Sequence, residues 1–256
     1  MATQDGPKYP RPRNGLVFSW DPQNQECWSG GLTDFNNNSP DPNPVVGIGL
    51  AGSDVDNASN GYIPLDGTDT RITGSVVSSL YNNDRTISTW FRSPNWKDLS
   101  VDTIFAIGGY SVAQPSWKPI NLIQIRNGDG DDTWNRIRIA GAFSGTPDIF
   151  RNGTAEPGDE DFIGSNYWYN ITLAYVQSTG VYTCYLNAGQ TGVSNVTETK
   201  QDIAGYYQGN VYLGYLPNVT ANAFTGDQGP VMIWNRTLSE QEVLASYNAL
   251  KGRYGR

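Results

Sequence analysis

The residue types that most often carry acid–base and nucleophilic chemistry are scarce in this sequence. It contains no histidine, which excludes Ser-His-Asp and Cys-His mechanisms and removes the commonest nitrogen ligand of zinc. Two-carboxylate chemistry remains open, and the one dense acidic cluster is Asp159-Glu160-Asp161. Because Pro157 and Gly158 place this cluster on a loop, we expect solvated carboxylates there and no catalytic pair. The sequence therefore predicts that the chain is not an enzyme, with glycan hydrolysis as the alternative.

Acidic turn residues are the candidate metal ligands. Asp66 and Asp69 bound the turn Asp66-Gly67-Thr68-Asp69, and further aspartates occur at 129, 131 and 132. Carboxylate oxygens suit calcium, although the spaced ligands and the terminal glutamate of an EF-hand are missing. The other interpretation is that Asp and Gly simply form these turns. Calcium at Asp66 and Asp69 is thus one hypothesis, and no other cofactor is predicted.

Aromatic residues are the candidate binding groups. The chain holds 8 tryptophans and 15 tyrosines, and aromatic side chains in loops can stack on sugar rings or anchor a protein interface. The loop-placed candidates are Trp28, Trp96, Trp117, Tyr206 and Tyr207. Between a glycan and a protein partner, composition favours the protein interface.

Strands must position these side chains. The segment 86–93 alternates, with Ile87 and Phe91 on one face and Trp90 on the other. About ten short strands are indicated, with no βαβ rhythm. Two packed antiparallel sheets are the predicted architecture.

Turn signals indicate how the strands are connected. The clearest hairpin joins residues 168–177 to 181–186. Most of 22–61 is expected to be loop, because it is rich in Asn, Asp, Gly, Pro and Ser. A short strand is expected within it, near 45–50.

One helix is well specified near the end of the chain. Ser239 and Glu242 have the spacing of a capping box, and Leu238 precedes the cap. The expected apolar stripe consists of Val243, Leu244, Tyr247 and Leu250. Gly252 is expected to end the helix, which would cover one end of the sandwich.

Composition also restricts the partners. A net charge of −8 argues against nucleic acid, because phosphate binding needs a positive surface. No apolar run of roughly 18 residues is present, so no membrane partner is expected. The first residues have no apolar signal region, so we expect synthesis in a cytoplasm.

Residues 1–14 are rich in proline and basic side chains, and we separate them from a single domain at 15–256. The segment includes Lys8, Tyr9, Arg11 and Arg13. It is either a disordered tail or an extended arm that docks on a neighbouring subunit.

Three segments carry a family resemblance: GLVFSWDPQNQECWSGGLTDFNNN at 15–38, YIPLDGTDTRI at 62–72 followed by TISTWFRS, and FTGDQGPVMIWNRTLSEQEVLASYNALKGRYG at 224–255. They resemble the concanavalin A-like, LamG-type jelly-roll domains found in structural proteins of tailed phages. The resemblance implies an all-β antiparallel sandwich with one short C-terminal helix.

The resemblance also implies a place in the virion, as a capsid decoration or cement protein or as a head- or tail-attached fibre element. Other virion proteins and further copies of this chain would be its partners. Attachment to host surface glycans is the alternative function.

Overall fold

A computed structural model describes residues 11–24, 27, 34–36, 44–50, 60–75, 80, 83–94, 101–108, 121–127, 135–141, 166–189, 196–197, 210–215 and 223–256. Within these ranges, fourteen strands form two antiparallel sheets of seven strands each. Sheet 1 contains β1 (Leu16–Trp20), β4 (Ile63–Asp66), β6 (Arg85–Arg92), β10 (Tyr169–Val176), β11 (Val181–Leu186), β12 (Val196–Thr197) and β14 (Thr225–Trp234). Sheet 2 contains β2 (Asp34–Asn36), β3 (Pro44–Ile48), β5 (Arg71–Ser75), β7 (Val101–Ile107), β8 (Asn121–Asn127), β9 (Asn135–Gly141) and β13 (Asn210–Leu213). The predicted all-β antiparallel sandwich with one short C-terminal helix is confirmed.

Strand order explains how distant segments meet. Sheet 1 runs β1-β14-β6-β10-β11-β12, with β4 also paired to β14. Sheet 2 runs β2-β3-β5-β13-β7-β8-β9. The predicted hairpin is present as β10 and β11, whose pairing runs from Ile171 opposite Leu186 to Val176 opposite Val181. Several other neighbours, such as β1 with β14, are far apart in sequence, so local patterns alone do not reveal them.

Alternation along β6 divides its apolar residues between two clusters. Ile87 and Phe91 are fully buried in the core between the sheets. Trp90 points the other way, into a second cluster on the outer face of sheet 1. Burying a large apolar side chain contributes about 1.5–3 kcal/mol, so both faces of this strand stabilise the fold. The predicted facing of these three residues is confirmed.

Two strand predictions need correction. The sequence predicts a closing strand over residues 230–234, but this strand begins at Thr225. Pro230 lies inside it because the pairing with β6 shifts between Gln228 and Val231, and a bulge tolerates a residue without an N–H. In the region expected to be mostly loop, β3 confirms the short strand. Its partner β2 was not predicted.

Helix α1 (Glu240–Asn248) starts with the predicted capping box. Ser239 accepts from the Glu242 amide, and the Glu242 carboxylate accepts from the Ser239 amide. Val243 and Leu250 join the second cluster, so the helix packs on the outer face of sheet 1 and not over an end of the sandwich. None of the helices in the described ranges is long and apolar enough to span a membrane.

The apolar stripe and the end of this helix differ from expectation. Leu244 was assigned to the stripe, but it is 49% exposed because its neighbour Val243 occupies the position facing the sheet. Ala249 is the C-cap, and Gly252 lies inside a following 3₁₀ helix, Lys251–Tyr254. The left-handed residue that closes this segment is Gly255, with φ of 68°.

Candidate functional site

The aromatic candidates from the sequence fall outside the described residues. This holds for all of them: Trp28, Trp96, Trp117, Tyr206 and Tyr207. The acidic cluster at 159–161 and the arm residues Lys8 and Tyr9 lie outside as well. These assignments stay predictions. The candidate site below consists of residues that the structure describes.

The Asp66 carboxylate organises the turn between β4 and β5. Its Oδ1 accepts from the amides of Thr68 at 2.9 Å, Asp69 at 3.2 Å and Thr70 at 3.0 Å. Its Oδ2 accepts from the Thr68 hydroxyl at 2.7 Å. Burial alone would raise the pKa of Asp66, but these hydrogen bonds hold that pKa well below its usual range. The turn therefore explains this aspartate without a bound ion.

Asp69 adds little to a cation site. Asp69 and Asp66 are linked by the Thr68 hydroxyl, which lies 3.4 Å from Asp69 Oδ1. Among the described residues, no group of three or more Asp, Glu, Cys or His side chains is arranged to hold a metal. Calcium at Asp66 and Asp69 stays a prediction that these residues leave untested.

The end of the predicted arm lies on the chain's own sandwich. Arg11 approaches Asp21 at 3.4 Å, and Arg253 binds the same carboxylate at 2.7 Å. The carbonyl of Arg13 accepts from the Leu16 amide at 3.1 Å. These contacts hold the end of the arm against sheet 1, and docking of the arm on a neighbouring subunit remains a prediction.

A polar and aromatic surface occupies the outer face of sheet 2. Ile72 and Leu213 pair across β5 and β13 and are buried between the sheets. Because strand side chains alternate, Arg71 and Tyr212 project from the opposite face, and Tyr215 follows the end of β13. We call this surface the Arg71 face; it comprises Arg71, Thr73, Asn210, Tyr212 and Tyr215.

Its side chains contact one another closely. The guanidinium carbon of Arg71 lies 5.0 Å from the centre of the Tyr215 ring. The rings of Tyr212 and Tyr215 meet edge to face, with centres 5.4 Å apart and planes at 85°. Asn210 Nδ2 donates to the Tyr212 hydroxyl oxygen at 3.0 Å. That hydroxyl therefore keeps its own proton to donate.

The Arg71 face carries a positive charge that no described acidic side chain binds. Arg71 is half-buried, and its Nε–H is buried with no acceptor among the described residues. Burial raises the pKa of Tyr215 to about 12, with the Arg71 charge opposing the rise and Tyr212 adding to it. Tyr215 is thus a neutral hydroxyl at physiological pH. The face presents a positive charge beside the partly exposed Tyr215, and Tyr212 next to it is only 9% exposed.

The Arg71 face was not predicted because the candidate binding residues were sought in loops. A local signal was present: Arg-Ile-Thr in β5 and Asn-Val-Tyr-Leu in β13 both alternate polar or aromatic with apolar residues. That pattern places Arg71 and Tyr212 opposite the core. It does not show that the two strands are neighbours, since pairing across such a separation depends on the whole fold.

A second aromatic surface lies beside the start of β10 in sheet 1. We call Arg92, Tyr167, Trp168 and Arg256 the Tyr167 rim. Tyr167 is 60% exposed, with the Arg256 guanidinium 5.5 Å from its ring centre. The arginines here have partners: Arg92 binds Asp227 at 2.6 Å, and Arg256 donates to the Trp168 carbonyl at 2.8 Å. This rim offers a ring surface, whereas both of its guanidinium groups already have acceptors.

Solved proteins with a similar fold include sialidases and a neurotoxin binding domain. A Trypanosoma rangeli sialidase in complex with the inhibitor DANA matches 92% of this chain with a TM-score of 0.59 and 11% identity. The binding domain of botulinum neurotoxin serotype C1 matches 92% with a TM-score of 0.60 and 13% identity. The chain spans 33% of the sialidase and 52% of the toxin structure. No family model and no curated protein sequence matches the chain.

These likenesses correct one prediction. The sequence predicted that the chain is not an enzyme, and the sialidases among its structural neighbours, which are enzymes, contradict it. The prediction was wrong because missing histidine and missing strand carboxylates exclude particular mechanisms and not catalysis as such. At 11% identity the likeness shows the fold alone and assigns no activity to this chain.

Proposed function

We propose that this chain is a glycan-binding β-sandwich that holds its ligand on the Arg71 face. The observation that carries the proposal is the grouping of two tyrosine rings with a guanidinium that has no acidic partner among the described residues. Sugars present both apolar ring faces and many hydroxyls. A surface that combines aromatic rings with hydrogen-bond donors at fixed positions suits both features.

Rigidity supports this use of the surface. Arg71 and Tyr212 sit on paired strands whose opposite faces are in the core, so binding orders few new torsions. Tyr215 offers a half-buried ring, and Asn210 fixes the Tyr212 hydroxyl. The donors are therefore in place before a ligand arrives.

The structural neighbours are compatible with the proposal. One is a neurotoxin binding domain, and another is a sialidase in complex with an inhibitor. At this low identity, the likeness supports only the suitability of the fold as a scaffold for binding. It does not point to a particular ligand.

Glycan-array binding by the purified chain tests the proposal. We expect signal on a subset of glycans, and we expect Tyr215→Ala to reduce it at least about tenfold, in line with the loss of an aromatic contact and a hydrogen bond. Tyr167→Ala is the matched control, because it removes an exposed ring that lies beside the other sheet. A flat array would refute glycan binding. Loss of signal in Tyr167→Ala alone would move the ligand to the Tyr167 rim.

A second candidate is a component of a tailed-phage virion, in contact with other virion proteins or with its own copies. The observation in its favour is that the three segments resembling the phage family are adjacent in space: β1 and β4 both pair with β14, which leads into α1. Mass spectrometry of purified particles should then detect the chain. Its absence from infectious particles would rule the candidate out. Glycan binding and a place in the particle are compatible roles.

A further inference from the structure

We propose that the Arg71 face binds a carboxylate-bearing sugar, with the carboxylate held by the Nη groups of Arg71 and the sugar ring beside Tyr212 and Tyr215. This inference rests on the proposed glycan-binding function and names the class of glycan. It starts from the one feature of the face that sheet packing does not explain, the state of the arginine.

Arg71 is half-buried and lacks the partners that other described arginines have. Acidic side chains bind several of them, in the pairs Arg92–Asp227, Arg236–Glu242, Arg11–Asp21 and Arg253–Asp21. The buried Arg85 donates to the Tyr182 hydroxyl at 2.7 Å. Arg71 contacts the Tyr215 ring and, among the described residues, neither an acidic group nor a hydrogen-bond acceptor.

This state leaves a positive charge without an acidic partner among the described residues, and an anionic ligand would neutralise it. A guanidinium stays charged throughout the accessible pH range, and burying one of its donors without an acceptor is unfavourable. The buried donor is Nε–H, whereas the Nη groups are not among the buried unpaired atoms. We therefore assign Nη1 and Nη2 to the incoming anion, while Nε–H stays buried.

A carboxylate fits this arrangement well. The two Nη groups form a planar fork that matches two carboxylate oxygens, and the Tyr215 ring lies against the guanidinium. The neutral, partly exposed Tyr215 supplies a ring and a hydroxyl beside the guanidinium, and the largely buried Tyr212 packs edge to face against it. A sugar acid meets both needs, because its carboxylate is attached directly to a ring that carries hydroxyls.

The net charge of the whole chain further restricts which anionic glycans the Arg71 face can bind. With a net charge of −8, and with Asp66 and Asp69 in the turn before Arg71, the protein repels dense polyanions. A single carboxylate needs only the local charge of Arg71, since more distant charges are screened beyond about 8–10 Å. Isolated carboxylated sugars are therefore favoured over polysulfated chains.

The test uses pairs of ligands that differ only in charge. Hexuronate- and nonulosonate-containing oligosaccharides, each with its methyl ester, are titrated into the full chain by calorimetry. We expect the acid to bind at least about tenfold more tightly than the ester, as for a charge-assisted hydrogen-bonded pair. Arg71→Gln should remove that difference. Arg71→Lys should retain part of it, because lysine keeps the charge without the fork.

Controls keep the outcomes distinct. Lys251→Gln removes one positive charge from the segment that follows α1 and should keep the preference. Thermal melts verify that each variant is folded. Equal binding of acid and ester, a preference that persists in Arg71→Gln, or binding of sulfated glycans only would overturn the inference while glycan binding stands. Binding of no glycan at all would overturn the proposed function as well.

Discussion

Asp102 and Arg71 are both charged groups that the fold buries with incomplete compensation. Asp102 lies on β7 of sheet 2, and its Oδ2 accepts from the amide of Thr225 on β14 of sheet 1 at 3.2 Å. Burial raises the pKa of Asp102 to about 6, although this hydrogen bond acts in the opposite direction. The carboxylate thus links the two sheets while its ionised form is disfavoured. The uncompensated guanidinium of Arg71 lies on the outer face of sheet 2, where we propose that a ligand binds it.

The raised pKa of Asp102 makes stability depend on pH. Its folded pKa exceeds the unfolded value of about 3.9, so the folded state binds the proton more tightly and loses stability as pH rises from about 4 to 6. Asp102→Asn keeps an acceptor for the Thr225 amide without the charge. We expect this variant to raise the free energy of unfolding at pH 7.5 by about 1–2 kcal/mol, a value reduced for solvent screening of the charge. At pH 4 we expect the free energy of unfolding to change little.

Urea unfolding of both proteins at the two pH values measures this effect. Asp69→Asn is the control, because that carboxylate is exposed and accepts from the neighbouring Thr68 hydroxyl. Equal destabilisation by Asp102→Asn at both pH values would show that the charge is needed for the link and that the carboxylate is ionised in the folded state.

Elements whose signals are local were predictable from the sequence. The start of α1 depends on Ser239 and Glu242, three residues apart, and Arg236 reinforces it by binding Glu242 at 2.8 Å. The Arg236 hydrogen bond, with those from Ser239, lowers the pKa of Glu242 to about 2, against the effect of burial. Short-range spacing was therefore enough to place this helix and its first turn.

Loss of the cap should weaken the helix measurably. Ser239→Ala removes the hydroxyl that accepts from the Glu242 amide, and we expect it to lower the free energy of unfolding by about 1 kcal/mol. Urea unfolding at neutral pH measures the change. Leu244→Ala, on the exposed side of the same helix, is the control and should have an effect of less than about 0.5 kcal/mol. If both variants were equally stable, the capping box would not hold the helix on sheet 1.

Pairing between distant strands was not predictable in the same way. The Arg71 face exists because β5 pairs with β13, which places Thr73 opposite Tyr212. Alternation within each strand indicates which side chains leave the core, but the partner strand is chosen by the packing of both sheets. The candidate site was missed for this reason, although the sandwich that supports it was predicted.

At the scale of the whole molecule, the two faces outside the core differ. The outer face of sheet 1 is covered by α1 and by a cluster that includes Trp90 and Trp234. The described outer face of sheet 2 carries the Arg71 face, most of whose side chains are partly exposed. The helix closes the described outer face of sheet 1, and we propose that a glycan binds the Arg71 face on sheet 2.

Chemical-shift mapping by NMR on the ¹⁵N-labelled chain tests that binding most directly. The ligand is the glycan that gives the strongest array signal, added stepwise to saturation. We predict that the Nε–H resonance of Arg71 and the amides of Tyr212 and Tyr215 shift together, while those of Tyr167 and Arg256 stay in place. Shifts confined to the Tyr167 rim, or saturable binding that leaves the Arg71 resonance unchanged, would contradict it.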